Sequence, residues 1–192
     1  GAGKSTLLKI LAGQALATQG KVIVDGVDIE RIDPTDLRRQ LGWLSHDSRL
    51  FFGTLRQNLM LGNPHASEQE MLQALRISGA LSLVQQDAAS LDRIINEGGR
   101  GLSGGQRQMV MLSRLILRQP QVVLLDEPTA AMDEQLEEHV IRQLQGWISG
   151  RTLVLVTHRP ALLKMVDRIV VMDNGRIVAD GPRDEILRRA TT

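Results

Sequence analysis

Val122-Val123-Leu124-Leu125-Asp126-Glu127 runs four apolar residues without a break into two adjacent carboxylates. A strand with one wet face would alternate apolar and polar residues, so this continuous run predicts a strand buried on both faces of a parallel sheet. Downstream, Leu136, Val140, Leu144 and Ile148 recur at helical spacing, and apolar runs at 153–156 and 169–172 predict further strands. Pro182 then opens a terminal helix. Strand, helix and strand in succession is βαβ organisation, which makes the fold class α/β. Upstream, Ser103 with Gln106 and Ser67 with Glu70 each read as a capping box. Met109, Leu112 and Ile116 form the inward stripe of the first of these helices; Met71, Leu72 and Leu75 form that of the second. Before them, 42–44 reads as a strand, Asp33-Pro34 as a helix start, and 21–29 as a hairpin turning at Asp25-Gly26. A short buried helix is expected over 7–12, stopped at Gly13.

The 192 residues are 42% hydrophobic and 23% charged, with a formal net charge of +1. That is enough chain for one domain with a sizeable core, and too apolar for a disordered one. No apolar run approaches the roughly 18 residues of a membrane-spanning helix. With no cysteine, disulfides, zinc–thiolate sites and thiol catalysis drop out, and a reducing compartment is compatible. The near-neutral charge gives no broad footprint for nucleic acid, and two Trp and two Phe leave little for stacking bases, so no nucleic-acid partner is expected.

Gly1-Ala2-Gly3-Lys4-Ser5-Thr6 supplies all but the first three positions of a phosphate loop. Small residues let backbone N–H groups approach phosphate oxygens, and the helix that follows adds partial positive charge at its N-terminus. Lys4 would reach the β- and γ-phosphates, and the Ser5 hydroxyl would ligate Mg²⁺. Taken alone, the same residues could be a glycine-rich turn capping an ordinary helix. Asp126 and Glu127 strengthen the nucleotide reading, because open α/β sheets bind ligands at the carboxyl ends of their strands. There Asp126 would hold Mg²⁺ and Glu127 would act as general base toward water. Because the motif's leading glycine and two spacers would lie upstream, the chain is expected to be the C-terminal part of something larger.

Leu102-Ser103-Gly104-Gly105-Gln106 adds a second glycine-rich helix start just before the Asp126 strand. With Gly1–Thr6, Asp126-Glu127-Pro128-Thr129 and Thr157-His158, it makes the chain resemble the nucleotide-binding domain of an ATP-binding cassette (ABC) protein, to about Arg189. The resemblance implies a P-loop NTPase of RecA-like type, with a mostly parallel sheet, an inserted helical subdomain and a partial antiparallel hairpin. It places the helical subdomain at about 47–117 and the catalytic core at 1–46 and 118–192, all within one domain, 1–192. It implies ATP and Mg²⁺ as ligands and a head-to-tail dimer, in which Ser103, Gly104, Gly105 and Gln106 cover the partner's γ-phosphate. His158 takes the place of the switch histidine, and Asp133 that of the loop, 130–133, that crosses the dimer interface; the usual serine of that loop is Ala130 here. Glu97-Gly98-Gly99-Arg100 sits where exporters sense their transmembrane domains, though a plain polar turn is equally compatible.

His46 stands where the family carries a glutamine that ligates Mg²⁺ and helps place water. A neutral imidazole still offers one acceptor nitrogen, but it is shorter, and protonation removes the acceptor. The site is therefore expected to bind ATP but to couple or hydrolyse it less efficiently than with a glutamine, more so toward acid pH. Phe51-Phe52 is either part of the groove that receives a coupling helix or local core. Arg107, Arg114 and Arg118 share roughly one helical face, which is expected to be solvated.

Relatives that work on chromosomes interrupt the cassette with coiled-coil or zinc insertions, for which the stretch from Lys4 to Ser103 leaves no room; translation factors carry two cassettes. The segment Leu50-Phe51-x-Gly53-Thr54-x-Arg56-x-Asn58 is similar to exporters whose ATPase and membrane domains are fused. Glu97–Gln106, Ala131-Met132-Asp133 and Thr157-His158-Arg159-Pro160-Ala161-Leu162-Leu163 look most like type I secretion ATPases, which export RTX-type toxins and adhesins. The resemblance thus implies an ATPase on the cytoplasmic face of a bacterial inner membrane. Its implied partners are a transmembrane domain, a membrane fusion protein and an outer-membrane channel. Exporters of peptide, lipid or drug, and a weakly hydrolysing regulatory module, are the alternatives.

Overall fold

The structure is a computed structural model that describes residues 2–85 and 90–190. Its centre is a three-stranded parallel sheet, ordered β3 (Leu41–Leu44), β6 (Val122–Asp126) and β7 (Thr152–Val156). Before it come α1 (Lys4–Leu11), the antiparallel pair β1 (Ile23–Val24) and β2 (Val27–Asp28), and α2 (Pro34–Gln40). Between β3 and β6 lie β4 (Gly53–Thr54), α3 (Leu55–Met60), α4 (Glu68–Ser78), α5 (Ser82–Gln85), β5 (Ile94–Ile95) and α6 (Gly104–Arg118). Helix α7 (Glu134–Ile148) joins β6 to β7, and the chain closes with β8 (Arg168–Asp173), β9 (Arg176–Pro182) and α8 (Arg183–Ala190).

The central strand behaves as its apolar run requires. Val123 and Leu125 point into a large core built with α4, α6 and α7, while Leu124 on the other face meets Leu8 of α1 and Leu41 of β3. All three are at most 1% exposed. Successive side chains of a strand face opposite ways, so two cores need apolar residues at every position. Both capping boxes form: the Ser67 hydroxyl accepts from Glu70 N–H, and the Ser103 hydroxyl accepts from Gln106 N–H, each with the reciprocal bond. Asp33 caps α2 in the same sense. Each such cap contributes on the order of 1 kcal/mol.

Several expectations need correction. The 169–172 strand is β8, which pairs antiparallel with β9 in a separate hairpin and does not join the parallel sheet. Its residues are mostly exposed, so its apolar run reflected β-propensity and not two-sided burial. Pro182 ends β9, and the terminal helix begins one residue later. The helix expected at 7–12 begins at Lys4, and Leu8 is its one buried residue. Among the described residues, no helix is long and apolar enough to cross a membrane.

Candidate nucleotide site

Parallel pairing assembles the site. Leu44 is level with Leu125, and Asp126 with Val156, so β3, β6 and β7 end along one edge of the sheet. His46, Glu127 and His158 each follow within two residues of a strand end. Three residues far apart in sequence are thereby brought to one edge, the place where open α/β sheets bind ligands.

Asp126 is buried, at 6% exposure, and Glu127 turns sharply out of the strand with φ 51°. A left-handed backbone disfavours residues other than glycine by roughly 1 kcal/mol or more, and it is held here from both sides. Glu127 N–H donates to the Val156 carbonyl at 2.9 Å, and the Gln108 side-chain amide donates to the Glu127 carbonyl at 2.6 Å. The kink aims the carboxylate at a cavity of about 480 Å³, lined also by His46, Asp126, Gly104 and Ala131. Glu127 Oε2 accepts from the Thr157 hydroxyl at 3.3 Å. Oε1 is buried without a hydrogen-bond partner, and its nearest base is His158 Nε2 at 3.8 Å. A buried carboxylate oxygen left unpaired is costly, which favours an O–H donor drawn into the cavity. The His158 ring is well exposed, at 77%.

The start of α6 stands on the same cavity. Its first N–H groups have no partner within the helix, and Ser103 and Gln106 serve each other in the capping box. Both glycines are needed for close approach: a Cβ on Gly104 would lie 3.0 Å from Ala131 Cβ, and one on Gly105 would lie 3.0 Å from the Ala131 carbonyl oxygen. Asp133 caps α7 through a bond from Leu136 N–H, and Met132 is buried beneath that loop. Ala2 and Gly3 lead into α1, whose first turn carries Lys4, Ser5 and Thr6; Gly1 lies outside the described residues. Leu8 seats α1 on Leu41 and Leu124, while Lys4, Ser5 and Thr6 are not among the residues lining the 480 Å³ cavity. The structure thus gathers His46, Asp126, Glu127, His158 and Gly104 at one edge, with the phosphate-loop residues on a neighbouring helix.

Residues 1–130 match the family model described as ABC transporter. The chain belongs to the ABC transporter family. Over 187 residues it is 38% identical to the cyclolysin secretion/processing ATP-binding protein CyaB of Bordetella pertussis, covering 97% of this chain and 26% of that protein. It is 36% identical over 190 residues to the leukotoxin translocation ATP-binding protein LktB of Mannheimia haemolytica, covering 99% of this chain and 27% of LktB. The structure of a bacterial Atm1-family ABC exporter with ATP bound superposes with a TM-score of 0.93 at 31% identity, over 97% of this chain and 33% of that one. This ABC chain therefore spans about a quarter of the length of the curated relatives it matches.

Two expectations around the ABC site change. Arg107 and Arg114 are not on a solvated face. Arg114 donates to the carbonyls of Asn58 and Arg49 at 2.8 and 2.7 Å and to the Asn58 side chain, and it lies 5.5 Å over the Phe51 ring. Burial pushes its pKa down to about 10. Arg107 donates to the Leu102 carbonyl at 2.7 Å, and of the three only Arg118 is exposed. Phe51 and Phe52 are 56% and 69% exposed, so neither is core. Gly98 N–H donates to the Leu50 carbonyl, which sets the 97–100 turn directly beside them.

Sequence reading missed Gln108, Thr157 and Arg159 as parts of the ABC site's frame, and Glu137 with them. Glu137 had a visible signal: it sits on the apolar stripe of α7 with Val140, Ile141 and Leu144 and is 5% exposed. A carboxylate in that position is seldom left without a partner.

Proposed function

We propose that this chain is the ATP-binding and ATP-hydrolysing domain of a bacterial exporter of the type I secretion kind. The observation that carries the reading is a Glu127 side chain that lines the cavity at the start of α6 and has one buried carboxylate oxygen without a hydrogen-bond partner. It occurs in a chain similar along 97% of its length to a secretion ATP-binding protein. Gly1, Ala2, Gly3, Lys4, Ser5 and Thr6 take the phosphates, and Glu127 accepts the proton as water oxygen bonds to the γ-phosphorus and the bond to ADP breaks. His158 stabilises the γ-phosphate. Ser103, Gly104, Gly105, Gln106 and Asp133 face the nucleotide of a second copy.

Among the described residues, no group of three or more His, Cys, Asp or Glu could hold a metal by itself. That fits Mg²⁺, which keeps water and phosphate oxygens and needs only one or two protein ligands. Ser5 and Asp126 would hold it, with His46 at its edge, and it would neutralise phosphate charge. In this proposal 47–117 is the helical subdomain, and 1–46 with 118–192 the catalytic core. The domain would work at the cytoplasmic face of the inner membrane, with a transmembrane domain, a membrane fusion protein and an outer-membrane channel as partners.

Two measurements test this: Mg²⁺-dependent ATP turnover by the protein that carries this chain, and the secreted proteins of a strain lacking its gene. Turnover together with loss of a secreted protein is expected. Turnover with unchanged secretion would move the substrate class to peptide, lipid or drug, and absence of turnover would sink the ATPase role. His46→Gln is expected to raise turnover by at least ~3-fold, since glutamine restores a longer acceptor at the cavity edge. An unchanged rate would remove His46 from the site.

A further inference from the structure

Arg159 follows His158 directly, and its guanidinium reaches the 130–133 loop. It donates to the carbonyls of Ala130 and Met132 at 3.0 and 3.1 Å, and it pairs with Glu137 Oε1 at 3.3 Å. The Thr129 hydroxyl donates to the same Glu137 oxygen. On the backbone side, Arg159 N–H donates to Thr157 Oγ1 at 2.9 Å, and that hydroxyl reaches Glu127. Gln108 closes the ring from α6: its side chain bonds the Glu127 carbonyl and accepts from Ala131 N–H at 3.1 Å.

We propose that Arg159 and Glu137 are positioning residues that tie the 130–133 loop to the strand end carrying His158, so that loop movement and the Glu127–His158 geometry change together. An ion pair with one partner buried, as Glu137 is and the half-buried Arg159 is not, is a poor source of net stability, and two apolar side chains of similar size often serve as well. What the apolar pair could not supply is the planar fork that holds the two loop carbonyls through Nη2 and Glu137 through Nη1 at once. Neither residue touches the reacting atoms in this scheme. The proposal rests on the ATPase reading above for its effect on turnover, and on geometry alone for the tether.

The test uses the protein that carries this chain, with Arg159→Lys and the double variant Glu137→Met/Arg159→Met. The double variant is expected to melt within a few degrees of the parent while kcat falls ~10-fold and the KM for ATP stays unchanged. Amide exchange at 129–133, measured without nucleotide, is expected to quicken in both variants. Arg159→Lys keeps the charge beside Glu137 but not the fork, and should restore kcat only in part. A folded double variant with parental kcat would overturn the positioning role, as would unchanged exchange at 129–133 in either variant. If the double variant melts early, the Arg159→Lys exchange and kcat decide the matter in the same way. A parent without ATP turnover would sink the ATPase reading, while the exchange result would still judge the tether.

Discussion

Glu127→Gln is expected to lower ATP turnover by at least ~10²-fold while leaving ATP affinity within about twofold of the parent. The substitution changes shape very little, so the kinked backbone held by Gln108 and Val156 should persist. It removes the carboxylate's capacity to take a proton from water, which is the one task no neighbour can assume. The Thr157 hydroxyl is bonded to the other oxygen, and the well-exposed His158 ring has Nε2 3.8 Å away. Binding should survive because the phosphate contacts are assigned to the start of α1, on a different element. With ATP bound and not consumed, the two-copy form should accumulate and be visible by size-exclusion chromatography. Parental turnover in this variant would remove Glu127 from the role of base. Loss of ATP affinity would instead place the carboxylate among the binding groups.

Gly62→Ala is expected to destabilise the domain by about 3 kcal/mol, the upper end of overpacking costs, and to lower its melting temperature by roughly 6–12 °C. A Cβ on Gly62 would lie 2.2 Å from the Arg114 carbonyl oxygen and 2.9 Å from its carbonyl carbon. The obstacle is the backbone of α6, which cannot swing aside as a side chain could. Arg114 also reaches across to Asn58 of α3, so pushing the end of α3 away strains the bonds that seat the 49–51 segment. Gly146→Ala is the internal comparison: it lies exposed within α7, nothing lies within 4 Å of its Cβ position, and alanine there should stabilise by ~0.5–1 kcal/mol. Equal melting temperatures for the two variants would refute the close approach of α3 and α6. The remedy is specific as well, since relief should come from backbone shifts in α3 and not from trimming a side chain.

Much of the fold was readable because it is decided locally. A serine with glutamate or glutamine three residues on closes a helix start by itself, and α4 and α6 begin where Ser67 and Ser103 say. The run ending at Asp126 had to be a strand with two dry faces, and Leu124 and Leu125 do fill different cores. The same reasoning failed at β8, where a similar apolar run sits in an exposed hairpin, because four residues carry no record of what covers them. It failed at Arg114 for the converse reason: helical spacing gives the face of α6, but not that α3 supplies carbonyls to meet it.

For the candidate site, the sequence offers chemical groups by type and spacing, and it does not offer their arrangement. Lys4, Ser5, Asp126, Glu127, His158 and the Ser103-Gly104-Gly105 turn were nameable because motif spacing is a property of neighbours along the chain. That His46, Glu127 and His158 share an edge follows only from the parallel register of β3, β6 and β7. The unpaired oxygen of Glu127, the Arg159–Glu137 tether and the contact of Gly104 with Ala131 join residues whose separation along the chain is variable and uninformative. Local bonding selects helix, strand and cap from a few adjacent residues. Distances between elements are set by the packing of two cores against one sheet, and that is a property of the whole chain.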